Sequence, residues 1–401
     1  MRRLVLENYP IVITSIQSWE KPLGSNAKDI AQGLAGKHRV LFINPPDDFT
    51  HFYKNEKNDA GSSESLEQVQ PNLWVYRPKR IMWSINWLPD GLLYDKLNYF
   101  NNKRWAEEIR TVLDHLQFGE FIFLNDSNMF KAFYLSELLQ PALTVYYTRD
   151  NLLAVDFWKR HGTRLEPQLM QKSDLVLGNS AYLTSIAKQY NPHSVYVGQG
   201  CDLNAFDADA QLAEPPDLAH ISPPRIGYIG ALTSLRLDIN LLKYTAEKHP
   251  EWNLILIGPE DRVFQSSRLH HLKNVHFLGS KKTDALAAYL QYMDVLINPQ
   301  LLNEVTIGNY PRKVDEYLAM GKPVVAIKTE TMEIFKEHVE LVENLPQFVQ
   351  KIEQILSGTQ LSAPQKRVAF AHSHSWQNSV SHIQAAMSER LQQIVGVAAK
   401  G

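Results

Sequence analysis

The stretch NYPRKVDEYLAMGKPVVA, residues 309–326, sets the reading of the whole chain. Val314, Tyr317, Leu318 and Met320 fall on one face of a helix, and Gly321 supplies the stop that releases the chain into the apolar run PVVAI (323–327). Pro311 stands at the helix start, where a missing N–H costs nothing. Upstream, DVLINPQLLNEVTIG is a strand running into a polar, glycine-containing loop. A loop that ends at a helix N-terminus presents free amides and attracts an anion, and Lys313 and Arg312 add full charges to that field. Glu316, about one turn further in, can accept bonds from vicinal hydroxyls. A diphosphate that carries a ribose meets both features. Asp315, beside it, is expected to face solvent.

Outward from this stretch, short β-branched or aromatic runs alternate with helix-length amphipathic segments. They are IVITSI (11–16), RVLFINP (39–45), FIFLN (121–125), LTVYYT (143–148), DLVLGNS (174–180) and SVYVG (194–198), then RIGYIG (225–230), NLILIG (253–258), VHFLG (275–279), DVLINP (294–299) and PVVAI. Alternation of this kind predicts mostly parallel sheets covered by helices on both faces. Between the two series, DADAQLAEPPDLAHISPP is rich in Pro, Asp and Ala without periodicity and reads as a linker. The expected organisation is a first Rossmann-like domain over 1–205, a linker over 206–224, a second Rossmann-like domain over 225–370 and a closing helix over 371–401 that returns to the first domain. Ligands of such sheets bind beyond the carboxyl ends of the strands, and two sheets that face each other would make a central cleft.

The 401 residues are 44% hydrophobic and 21% charged, with a formal net charge of −2, which supplies no basic field for nucleic acid. Cys201 is the single cysteine, so no internal disulfide forms and a reducing cytoplasm is the expected compartment. The N-terminal run is interrupted by Glu7 and Asn8 and reads as a first strand, not a signal.

The segment 309–326 resembles the donor-binding segment of GT-B glycosyltransferases, the group 1 or family-4-like enzymes that use nucleotide-diphosphate sugars. The likeness recurs in order along the chain: NSAYLTSIAKQYNPHSVYVGQGCDLNAF near the end of the first domain, RIGYIGAL and LILIGPED in the second, VHFLGSKKTDALAAYLQYMDVLINP, and the tryptophan-containing FAHSHSWQNSVSHIQAAM. Within the group it is similar to the teichuronic-acid and exopolysaccharide type, with YYTRDN after a first-domain strand. The resemblance implies a glycosyltransferase that moves a sugar from a nucleotide diphosphate to a polysaccharide or lipid-linked glycan acceptor. It implies a cytoplasmic enzyme of cell-surface polysaccharide biosynthesis that requires no metal and no other cofactor.

The same resemblance assigns roles. Glu316 stands where the family's second paired glutamate grips the ribose, whereas the first glutamate's place is taken by Gly308. Thr306, Gly308 and Asn309 would offer amides and a hydroxyl to the phosphates, with Gly230, Gly258 and Pro259 lining the donor. Lys313 and then Arg236 would neutralise the departing diphosphate, and Gly24 would bring a glycine loop against it from the first domain. Cations and helix amides can stabilise that leaving group without metal. Of two first-domain acids after strands, Asp150 and Asp126, either could take the acceptor proton in an inverting reaction; a retaining one needs no such base. Each is also a residue type common at helix caps and turns. Asp207 with Asp209, and His372 with His374, have metal-like spacings but read as linker and isolated pair.

Residues 77–105 interleave Lys79, Arg80 and other cations with Trp83, Trp87, Tyr94, Tyr99, Phe100 and Trp105. Such a mixture suits acceptor binding and contact with an anionic membrane on its inner face, or equally a core helix with aromatic packing. Two further functions fit the fold: a nucleotide-sugar 2-epimerase, and a non-catalytic sugar-nucleotide-binding scaffold. A nicotinamide oxidoreductase does not, since neither domain opens with G-x-G-x-x-G.

Overall fold

A computed structural model describes residues 6, 9–20, 25–49, 65–359 and 361–398. The chain divides into two compact units, residues 1–198 with 376–401, and residues 199–375.

In the first unit, eight strands form one sheet: β1 (Ile11–Ser15), β2 (Val40–Ile43), β3 (Leu66–Gln70), β4 (Leu73–Tyr76), β5 (Ile122–Asp126), β6 (Leu143–Thr148), β7 (Leu175–Gly178) and β8 (Ser194–Tyr196), in the order β3-β4-β2-β1-β5-β6-β7-β8. All pairs are parallel except β3 with β4. Because helices cover both faces, the central strands are apolar on both sides. Ile11 and Ile13 pack on one face with Ile30, Ala31 and Leu34 of the helix Asn26–Ala35, whereas Val12 packs on the other with Trp105 and Ile109 of the helix Leu92–His115. The closing helix, Trp376–Ala398, joins the first of these faces through Val380, Ile383 and Met387. Gly33 gives it room, since a β-carbon there would stand 2.7 Å from Val380.

The second unit has six strands: β9 (Arg225–Ile229), β10 (Asn253–Ile257), β11 (Val275–Phe277), β12 (Val295–Asn298), β13 (Val324–Ile327) and β14 (Glu340–Val342). They are all parallel, in the order β11-β10-β9-β12-β13-β14. This is the doubly wound order in which the direction of winding reverses between β9 and β12.

The structure departs from the expected boundaries. Residues 206–224 are not a free linker: Phe206, Leu218 and Ile221 are buried in the second unit's core, and Arg225 donates to the carbonyls of Ile221 and Leu218. The unit boundaries fall at 198/199 and 375/376, and residues 371–375 end a separate helix, Pro364–Ser373, whose Ala371 packs in the second unit. Apolar residues spaced among prolines are enough to anchor a segment that has no periodicity.

One buried acid makes the first unit's stability pH-dependent. Glu166 accepts a bond from the Tyr146 hydroxyl at 2.8 Å, and burial pushes its carboxyl up from 4.5 to about 7. Its folded value lies above its unfolded one, so the stabilisation is complete below the unfolded value and is lost as pH rises through about 7. Glu166→Gln is therefore expected to melt above the wild type at about pH 8, by up to about 3 kcal/mol, with the gap closing by about pH 5. Melting curves across that range measure it, and a pH-independent difference would contradict it.

Candidate functional site

At the carboxyl end of the second unit's sheet, the loops after β9, β10 and β12 are laced together. Leu237 pairs with Gln300, Leu301 donates its N–H to the Arg236 carbonyl at 2.9 Å, and the Asn303 amide reaches the Leu235 carbonyl at 2.8 Å. Asp261 accepts from both the N–H and the hydroxyl of Ser234, at 2.6 and 2.8 Å. These bonds fix the loops that flank the reversal point.

Two glycines let them close in. Gly258 has φ +149°, and a β-carbon there would lie 2.0 Å from the Gly230 carbonyl oxygen. Gly230, at φ +146°, leaves the space in which Lys313 sits, with Nζ 2.7 Å from where its β-carbon would be. Only glycine adopts both conformations without strain.

The helix Arg312–Ala319 begins after Pro311, as its sequence predicts, and Val314, Tyr317 and Leu318 are buried. The Tyr317 hydroxyl accepts the N–H of Ile229 at 2.8 Å and so pins the helix to β9. Lys313 projects over the Tyr228 ring, 4.3 Å from its centroid, and its ammonium contacts the Tyr228 hydroxyl. Glu316 is half-buried; burial raises its carboxyl above the ordinary range, against the lowering pull of Arg312 and Lys313. A cation and a carboxylate therefore meet at the start of this helix, beside the reversal point of the sheet; the helix has no side-chain cap, and the N–H groups of Arg312 and Val314 go to the carbonyls of Tyr310 and Pro311 at 3.2 and 2.8 Å.

Other expected contributors stand differently. Thr306 is buried, its hydroxyl donates to the Leu301 carbonyl and its N–H goes to Asn303, so neither is offered to a phosphate. Asn309 likewise spends its N–H on the Thr306 carbonyl at 3.1 Å. Gly308 is buried, and Pro259 accepts the N–H of Leu232 at 2.8 Å. Arg236 is exposed in its loop. Asp315 does not face solvent: it is wholly buried, bonded to His374 at 2.8 Å and to Cys201 at 3.3 Å. His374 thus binds a carboxylate, and Asp207 accepts the N–H of Asp209 in a turn. Among the described residues no three His, Cys, Asp or Glu side chains group to hold a metal ion.

In the first unit, Asp126 and Asp150 part company. Asp126 is wholly buried, accepting from the Ser15 hydroxyl at 2.6 Å and from Arg149 Nε at 2.8 Å, one bond on each oxygen. Asp150 is 41% exposed, with Arg149 Nη1 3.3 Å from its carboxylate. Arg149, between the two acids, escapes a reading that looks for proton acceptors; its signal is a cation directly after an all-buried strand. Gly24 lies outside the described residues.

The basic and aromatic segment divides. Tyr94 and Trp105 are core, Trp83 stacks on Phe100 at 4.8 Å, and Arg80 pairs with Glu107 at 2.9 Å. Lys79 uses its backbone N–H on Glu108. Trp87, Leu92 and Leu93 stay 71%, 80% and 61% exposed. No helix among the described residues is long and apolar enough to cross a membrane.

Residues 223–358, which contain the whole of this second-unit site, match the family described as glycosyl transferases group 1. The chain carries a group 1 glycosyl transferase domain. Its sequence is 28% identical over 187 residues to the putative teichuronic acid biosynthesis glycosyltransferase TuaH of Bacillus subtilis strain 168. That alignment covers 44% of this chain and 46% of TuaH, about half the length of the curated relative. In fold, the chain is similar to Anabaena HepE, solved with UDP and glucose, at TM-score 0.62 and 17% identity over 96% of this chain and 99% of that one. It is also similar to a trehalose-6-phosphate protein of E. coli bound with UDP-2-fluoro glucose, at TM-score 0.64 and 13% identity over 96% and 99%. The fold is GT-B, with two parallel-sheet Rossmann-like domains, as the resemblance implied.

Proposed function

We propose that this chain is a glycosyltransferase that moves a sugar from a nucleotide diphosphate to a glycan or lipid-linked acceptor in the making of cell-surface polysaccharide. The observation that carries the reading is Lys313 Nζ held over Tyr228 and Gly230 at the sheet's reversal point, inside the matched domain. TuaH and the UDP-bound structure of HepE support it from outside.

In this reading the diphosphate lies at the N-terminus of the helix Arg312–Ala319, with Lys313 against its oxygens and Glu316 on the ribose hydroxyls. As the sugar–phosphate bond breaks, charge grows on the departing diphosphate, and Lys313 with the positive end of the helix dipole stabilises it in place of a metal. Asp150 is the acid left to accept a proton from the acceptor if the reaction inverts, because Asp126 is buried against Arg149. The enzyme works in the cytoplasm, and exposed Trp87, Leu92 and Leu93, among the cations of 77–105, rest on anionic lipid.

Gly308, where the family resemblance implies a glutamate, favours one competing reading: a sugar-nucleotide-binding scaffold without turnover. Incubation with labelled nucleotide sugars, with and without anionic liposomes, separates the two. Slow release of nucleoside diphosphate, and sedimentation with the liposomes at low salt, are expected; binding with no release under any acceptor would establish the scaffold.

A further inference from the structure

Behind the donor helix lies a buried cluster that donor binding does not use. At about 100° per residue, Asp315 points away from Lys313, to the far side of the helix. There its carboxylate accepts from Cys201 Sγ at 3.3 Å and meets His374 Nδ1 at 2.8 Å, and the Tyr310 hydroxyl lies 3.3 Å from the same nitrogen. Cys201 and His374 are themselves joined, the Cys201 N–H donating to the His374 carbonyl at 2.9 Å beside a bridge from Cys201 to Ser375. These are the segments by which the chain enters and leaves the second unit, at 198/199 and 375/376.

The cluster is not a cysteine nucleophile. The thiol donates to the carboxylate and not to the imidazole, and burial with the Asp315 charge pushes it far above its ordinary value, so no thiolate forms. Nor does the cluster add stability that apolar residues would not, because taking a carboxylate out of water costs as much as its pairing returns. What it supplies is a fixed orientation. A helix of eight residues does not hold its own geometry in water; the Tyr317 hydroxyl ties one side of it to β9, and the bonds of Asp315 to His374 and Cys201 tie the other.

We propose that Asp315 is a positioning residue: held from behind by His374 and Cys201, it sets the rotation at which Lys313 and Glu316 are presented. The proposal rests on the reading of residues 312–319 as the donor helix. Its test uses the full chain as wild type, Asp315→Ala, Asp315→Asn and His374→Ala, with two readouts: hydrogen exchange of the amides of 312–319 and calorimetric affinity for UDP. In Asp315→Ala, exchange over 312–319 accelerates about tenfold while that of β10 is unchanged, and UDP affinity falls about tenfold. Asp315→Asn keeps an acceptor oxygen for His374 and turns its amide NH2 to the Cys201 sulfur, a weak acceptor, and stays within about threefold of wild type in both. His374→Ala moves both readouts in the same direction as Asp315→Ala, and it decides the matter alone if that variant does not fold. Folded alanine variants with wild-type exchange over 312–319 would overturn the proposal. A wild type that binds neither UDP nor any other nucleoside diphosphate would instead sink the donor-site reading, and the exchange result would still decide the positioning role.

Discussion

Lys313→Ala is expected to weaken nucleoside diphosphate binding about a hundredfold and to leave the melting temperature of the unliganded chain nearly unchanged. The ammonium is held by the face and hydroxyl of Tyr228, in space that Gly230 keeps open. Both of these neighbours are neutral, and the ammonium's carboxylate neighbour, Glu316, acts on it through its charge and not through an ion pair. A phosphate arriving there gains a charge-assisted bond from a cation already in position, and alanine removes that gain without exposing core. Lys313→Arg is a poorer repair than the shared charge suggests, because the guanidinium fork demands room that the Tyr228 hydroxyl occupies. Calorimetric titration of both variants measures the effect; an alanine variant that binds as well as wild type would remove Lys313 from the site.

Arg149→Leu is expected to destabilise the first unit by about 3–5 kcal/mol, or about 10 °C in melting temperature. Asp126 is wholly buried and rests on two bonds, one of them from Arg149. Removing the guanidinium leaves a carboxylate out of water with a single hydroxyl donor, which costs far more than the pair contributes. Asp126→Asn should therefore recover most of the loss when combined with Arg149→Leu, and a double-mutant cycle should show strong coupling. Simple additivity of the two substitutions would contradict the ion-pair account. Arg149 also touches Asp150, so Arg149→Leu removes a cation from beside the carboxylate proposed as base.

The sheets were legible because a parallel strand buried on both faces must be apolar throughout, and runs such as LTVYYT or NLILI admit little else. β3, β4 and β14 were not: Leu66–Gln70 is a largely exposed edge strand, Leu73–Tyr76 is four residues long, and Glu340–Val342 is a short edge strand that opens on an acid, so none shows as a sustained apolar run. The helix start that carries Lys313 and Glu316 was legible because a helix start after a strand is a local feature, and the fold puts it where local reasoning does. Asp315 was misread for the converse reason. Its partners, Cys201 and His374, are 114 and 59 residues away, and nothing near it in sequence says that its helix face is covered. Thr306 shows the same limit on a smaller scale, since its hydroxyl is spent on Leu301 within its own loop. Polar residues in loops can be chosen for shape as readily as for ligands.

The central claim, that the group 1 domain holds a nucleotide-diphosphate donor against Lys313, is tested most directly by titrating the full chain with nucleoside diphosphates, UDP first, in a calorimeter. Saturable one-to-one binding of a nucleoside diphosphate, lost on Lys313→Ala and far weaker for the matching nucleoside, is the predicted result. Absence of binding by every nucleoside diphosphate, or binding that the nucleoside matches and Lys313→Ala leaves intact, would contradict it.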